Sequence, residues 1–153
     1  MESIETTLLI LWLGATLFFA LGVAPAAFAV LPDSGLAGAL IGRLLPALFV
    51  AGAVIGLLIL GMELRRRWPR RRWRAWAAGV MLAACALAQF VIGGRINRLR
   101  TEVARPIAAL ERDDPRRAAF GRLHALSVAA LGAAMIAAAA AVLAPRMSAA
   151  ARS

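Results

Sequence analysis

The chain contains no lysine, a single cysteine (Cys85) and a single histidine (His124). One cysteine excludes a disulfide framework, and one cysteine with one histidine excludes a Cys/His zinc pattern. No glycine-rich nucleotide loop, HExxH or GxSxG motif occurs. Acidic residues are scarce, eight against eighteen basic ones, and no carboxylate pair or nucleophile beside a base is legible in their spacing. No catalysis is therefore expected.

Charge is also missing from four long stretches, Thr6 to Pro32, Leu44 to Met62, Ala75 to Gly94 and Ala125 to Pro145. Each is close to the roughly 20 apolar residues that cross a bilayer as a helix. With 153 residues in all, 62% of them hydrophobic, and a mean hydropathy of +0.78, nothing remains that could bury four such helices in a soluble domain. None of the stretches alternates with period two, which excludes a β-barrel. The expected fold is all-α, a four-helix transmembrane bundle forming one domain over residues 1–153. Its helices are expected at about 4–30, 35–64, 73–110 and 115–144, with an amphipathic extension between helices three and four.

The N-terminal apolar run follows Glu2 and Glu5 rather than a basic segment, so it reads as a retained helix and not a signal peptide. The net charge of +10 is carried by arginine and concentrated between helices. The loop joining helices two and three packs Arg65, Arg66, Arg67, Arg70, Arg71, Arg72 and Arg74 with no acid, beside Trp68, Trp73 and Trp76. Interleaved arginine and tryptophan can mark a nucleic-acid surface. Between two membrane helices it reads instead as a topology signal whose residues touch anionic lipid headgroups. No nucleic-acid partner is expected. The positive-inside rule then places both termini in the cytoplasm, in the inner (plasma) membrane of a bacterium.

Along the chain, Pro25 and Pro46 each remove a backbone bond and can kink helices one and two. Asp33 or Ser34 can cap helix two, and Asp114 followed by Pro115 forms a start signal for helix four. Ile96, Leu99, Val103, Ile107 and Leu110 form the apolar stripe of the extension, which Pro106 should bend. Two small-xxx-small pairs, Gly38 with Gly42 and Gly52 with Gly56, offer close-packing surfaces, as does the alanine run of helix four.

Three helix ends carry polar residues that an antiparallel bundle brings to one membrane face. Arg43 ends one, Gln89, Arg95 and Asn97 lie on the second, and Phe120, Arg122, His124 and Ser127 lie on the third. Phe120, His124, Ser127 and Leu131 form one helical stripe, while Arg122 lies roughly 200° around from His124. Two readings follow. The residues are either interfacial arginines and a hydrogen-bonded structural histidine, or a shallow outer polar pocket suited to an anionic group. Met81, Cys85 and Met135 share a depth, and their sulfurs suit a soft ion such as Cu(I). Met and Cys also fill apolar cores, and no metal site is expected.

Several stretches resemble the transmembrane protein 205-like family. They are Leu11-Trp-Leu-Gly-Ala-Thr through Val23-Ala-Pro-Ala-Ala-Phe28 with Leu31-Pro32, Arg43-Leu-Leu-Pro46 with Phe49, Gly94-Arg95-Ile-Asn-Arg98, and Phe120-Gly-Arg-Leu-His124-Ala-Leu-Ser127. The last resembles the family's Phe-x-Arg-x-His-Gly-x-Ser, with Ala125 in place of glycine. The resemblance implies a membrane domain with no established biochemical activity, whose mammalian member is associated with resistance to platinum drugs.

The sequence therefore points to a non-enzymatic inner-membrane protein, an accessory subunit that binds other membrane proteins or itself. The alternatives are a protein that binds or transports a small molecule or soft metal, and a haem-binding four-helix protein. One histidine cannot supply bis-histidine ligation within one chain, and no cofactor is expected.

Overall fold

The computed structural model describes residues 2–65, 72–103, 107, 110–111 and 113–150, with side chains described at 4–65, 73–103, 107, 110–111 and 113–143. Helix α1 spans Glu2–Phe18, a π turn Phe19–Val23, α2 Ala24–Val30, α3 Ser34–Arg65 and α4 Arg72–Ala86. A second π turn, Leu87–Ile92, leads into α5 Gly93–Glu102, and α6 runs Pro115–Ala150. No strand occurs among the described residues. The pieces join into four stretches long and apolar enough to cross a membrane, Ile4–Val30, Ser34–Arg65, Trp73–Glu102 and Pro115–Leu143. Successive spans pack against each other and the fourth closes on the first, giving an up-down-up-down bundle.

Local chemistry sets the boundaries. The Gly35 amide donates to Asp33 Oδ1, and the Arg116 amide donates to Asp114 Oδ1 at 2.8 Å. Each satisfies a first-turn donor that lacks a helical partner. The helix widens just before Pro25, with the Ala24 amide donating to the Phe19 carbonyl across five residues. Around Pro46 α3 stays helical, the proline only withholding the usual donor of the Gly42 carbonyl. Likewise α6 passes Pro145 and reaches Ala150, beyond the end expected near 144.

The extension after helix three is shorter than expected. Helix α5 ends at Glu102, Val103 is extended (φ −110°, ψ 113°), and Ile107 lies in a 3₁₀ turn, so no helix reaches 110. Pro106, expected to bend the extension, lies outside the described residues. The stripe still predicts burial, since Val103 and Leu110 are both buried. They pack as an irregular connector.

The interior is thin and closely approached. Trp12, Phe49, Met81 and Cys85 are buried with Ala134, Ala137, Ala138 and Ala141, so the alanine stripe of α6 is used inside the bundle. Gly52 lets three helices meet. A Cβ there would lie 2.7 Å from Cys85 Sγ and 2.8 Å from Trp12 Cζ2. Trp12 is fixed by its indole N–H, which donates to the Leu48 carbonyl at 2.9 Å. Outward, large apolar side chains such as Phe18, Leu21, Phe90 and Ile136 are more than 70% exposed on every side of the bundle. Such a belt is far larger than a soluble monomer shows, and it marks a multi-pass membrane protein.

One expectation is reversed at the arginine-rich end. Arg74 does not reach headgroups. Its side chain is 1% exposed, with Nη2 donating to Glu5 Oε2 at 3.1 Å and Nε 3.8 Å from Glu63 Oε1. Glu5 and Glu63 are buried as well. The cause is register. The start of α1, the end of α3 and the start of α4 meet at one end of the bundle, and a buried cation requires anionic partners. Arg65 and Trp76 are exposed and Trp73 is half-buried, whereas Arg66, Arg67, Trp68, Arg70 and Arg71 lie outside the described residues, as does the side chain of Arg72.

Arg74→Ala is expected to destabilise the purified protein by about 3–5 kcal/mol, because it removes the buried cation that bridges Glu5 and Glu63. Chemical unfolding in detergent measures this, and a loss below 1 kcal/mol would show that the ion cluster does not hold the bundle. Gly52→Ala is expected to cost about 1–3 kcal/mol through overpacking. Adding Cys85→Ala should recover part of that loss, read as a rise in melting temperature over the single variant.

Candidate functional site: a polar-rimmed cavity

At the end opposite Arg74 the spans separate. The first half of α3, the second π turn with α5, and the first turns of α6 enclose a cavity of about 690 Å³. That size suits a small-molecule ligand, for which pockets of roughly 300–1,000 Å³ are usual. Its deeper wall is apolar, built from Ile41, Leu45, Phe49 and Ala88, and its lining holds no carboxylate among the described residues.

Arg100 is the central polar group. Gly93, Asn97 and Arg100 follow one another at helical spacing, so α5 presents them together toward α3. The Arg100 side chain crosses the gap, and Nη2 donates to the Gly38 carbonyl at 3.3 Å. Gly42 makes this crossing possible, since a Cβ on it would stand 2.6 Å from Arg100 Nη1. The guanidinium carbon also lies 5.7 Å from the centre of the Phe120 ring, a cation–π arrangement. Phe120 in turn stacks on His124, with centroids 6.3 Å apart and planes 5° from parallel. Glycine, arginine, phenylalanine and histidine from three elements thus form one continuous wall. The pair Gly38 and Gly42 serves a side chain here rather than a neighbouring helix backbone.

Arg117 supplies a second rim cation. It lines the cavity, and its Nη1 donates to the Leu110 carbonyl at 3.0 Å, tying the connector to α6. Neither Arg100 nor Arg117 has an ion-pair partner among the described residues, unlike Arg74 and Arg116. Ser127 lies one turn deeper than His124 and is buried, and Gln89 approaches from the second π turn. That turn changes the register of the helix. A π turn adds a residue per turn, rotating everything after it by about 100° relative to an unbroken α-helix. Gly93 is closely fitted there, with the Ala88 carbonyl 3.3 Å from where its Cβ would be.

Of the eight residues in the expected outer cluster, Gln89, Asn97, Phe120, His124 and Ser127 line this cavity. Arg43, Arg95 and Arg122 do not line it and are exposed. Arg43 is one residue past Gly42, and Arg122 two residues before His124, so each faces away from its cavity-lining neighbour. Arg100 and Arg117 take the cationic role, and sequence reasoning missed both. The signal was present, since Arg117 lies three and seven residues before Phe120 and His124, and Arg100 three after Asn97.

Met81 and Cys85 are buried in the bundle core, with Met135 packed against the same cluster, away from the cavity lining. No group of three or more His, Cys, Asp or Glu residues suited to a metal occurs among the described residues.

The family model described as "Domain of unknown function (DUF4149)" matches residues 7–105. The chain belongs to this family. The match takes in the first three spans, including Gly38, Gly42, Gln89 and Arg100, and leaves the His124 stripe of α6 outside it. Searches of curated proteins and of solved structures returned no match.

Gly42→Ala is expected to displace Arg100 from Gly38 at little cost, within about 1 kcal/mol, because the obstructed group is the far end of a flexible side chain. In an Arg100→Ala background the same substitution should cost nothing, and a thermodynamic cycle in detergent checks the coupling.

Proposed function

We propose that this member of the DUF4149 family is a non-enzymatic inner-membrane protein of bacteria that binds a small molecule in the cavity between its second, third and fourth spans. The observation carrying this reading is the cavity itself, of ligand size, with guanidinium groups at its rim that have no carboxylate partner among the described residues and an apolar wall below. Its polar groups are donors or neutral acceptors, and the one imidazole, His124, stacks on a ring rather than on a nucleophile. Such a set favours binding over chemistry. The arginine-rich loop supports a topology with both termini in the cytoplasm and the cavity facing outward. Kinship with the transmembrane protein 205-like family is part of the proposal, supported by the order of the motifs along all four spans. A role as an accessory subunit rests mainly on the basic loop at 65–74, and the cavity gives the small-molecule reading the stronger geometric support.

Gly121→Trp separates these readings. Gly121 lines the cavity and has nothing within 4 Å of a Cβ, so a side chain can begin there without a clash, and an indole is large enough to compete for the space. The parent protein, taken from its native membrane in mild detergent, is expected to carry a stoichiometric small molecule on native mass spectrometry. The variant should lose it at unchanged melting temperature. A parent that carries no small molecule but a stoichiometric protein subunit would replace this proposal with the accessory role.

A further inference from the structure

The cavity has a direction. At its rim stand Arg100 and Arg117, and one turn deeper along α6 from the Phe120–His124 stack lies the hydroxyl of Ser127. Below these the wall is Ile41, Leu45 and Phe49, without a charged group. A freely soluble anion would use the rim and leave the apolar floor empty. A neutral hydrocarbon would fill the floor and leave two guanidiniums without an anionic partner. We propose, on the basis of the small-molecule reading above, that the ligand is an anionic amphiphile, a phosphate- or carboxylate-headed molecule with a single hydrocarbon chain.

Two features of the cavity fit that ligand. Arg100 is presented by contacts that leave its charge uncompensated, a carbonyl oxygen and a ring face. Guanidinium groups bind phosphate and carboxylate in a forked geometry, and the ring contact is retained when an oxyanion takes the remaining N–H groups. The second feature is place. The rim arginines stand at the ends of two spans, Arg100 two residues before Glu102 and Arg117 two after Pro115, and the floor extends toward the middle of the spans between α3 and the π turn at Leu87–Ile92. An amphiphile would therefore enter without inverting its polarity relative to the bilayer. The head is held by charge and the chain by burial.

Dodecyl phosphate, dodecanol and inorganic phosphate test the inference on the full chain reconstituted in phosphatidylcholine nanodiscs, with binding read by native mass spectrometry. Dodecyl phosphate is expected to bind at one per chain, at least tenfold tighter than dodecanol, with no retention of inorganic phosphate. The paired substitution Arg100→Gln, Arg117→Gln should weaken dodecyl phosphate at least tenfold and leave dodecanol unchanged. Arg117→Gln alone, at the rim, gives a smaller loss in the same direction should the double variant fail to fold. Dodecanol bound as tightly as dodecyl phosphate, with no effect of either arginine variant, would overturn the anionic head while leaving a small-molecule cavity in place. Inorganic phosphate bound as well as dodecyl phosphate would overturn the chain-binding floor. Binding of none of the three, together with no resident molecule in the parent protein, would overturn both proposals.

Discussion

Within a bilayer the hydrophobic effect does not draw helices together, because lipid solvates leucine as well as another helix does. Arg74 supplies the tie that burial alone cannot. Its guanidinium lies between Glu5 and Glu63, all three removed from solvent, and each partner belongs to a different span. Desolvating these groups is costly, and the attraction among them offsets that cost only while all three spans are in register. The contact therefore acts as a register pin. It sets the first, second and third spans at one end of the bundle, and the fourth packs against the third and first along the alanine stripe.

From that pinned end the packing tightens and then opens. Gly52 and Gly56 bring α3 against Trp12, Cys85 and the backbone of α4. Past this level the small residues no longer face a helix. Gly42 faces a guanidinium, and Gly38 offers its carbonyl to it. The separation has a backbone cause as well as a side-chain one. The π turn at Leu87–Ile92 re-aims α5, and Pro46 withholds a helical donor from the Gly42 carbonyl on the facing helix. The cavity is thus the other consequence of the same construction, an end with no central ion cluster among the described residues to close it.

The number of spans, their class and most of their boundaries were legible because each rests on a local rule, a charge-free length, a capping aspartate or a proline at a first turn. The cavity was legible in part. Phe120, His124 and Ser127 were found by helical spacing, and Gln89 and Asn97 by polarity in an apolar setting. Arg43, Arg95 and Arg122 were expected with them on depth alone, and depth does not fix which way a helix faces. The second π turn could not be read, since no proline marks it. Arg74 was hidden by its company. Among seven arginines in ten residues, only the packing of α1, α3 and α4 identifies Arg74 as one that turns inward. Glu5 and Glu63 carried the missing signal, two acids at the boundary of apolar spans on the same side as a surplus of cations.

The two ends use the same residue type for opposite electrostatic purposes. At one end arginine is neutralised by buried carboxylates, so its field is confined to the cluster. At the other, Arg100 rests against a carbonyl and a ring and Arg117 against another carbonyl, dipoles and a quadrupole that orient a guanidinium without cancelling its charge. Both sit over apolar walls, where low polarisability strengthens interaction with an incoming anion relative to the same charge in water. A snorkelling arginine ordinarily gains its stability by reaching solvent. Arg100 instead crosses to a neighbouring helix at a position where only glycine leaves it room, so its placement is set by protein contacts rather than by access to water. A cation held half-buried in this way keeps much of its capacity to pair, and the space to accept a partner lies beside it.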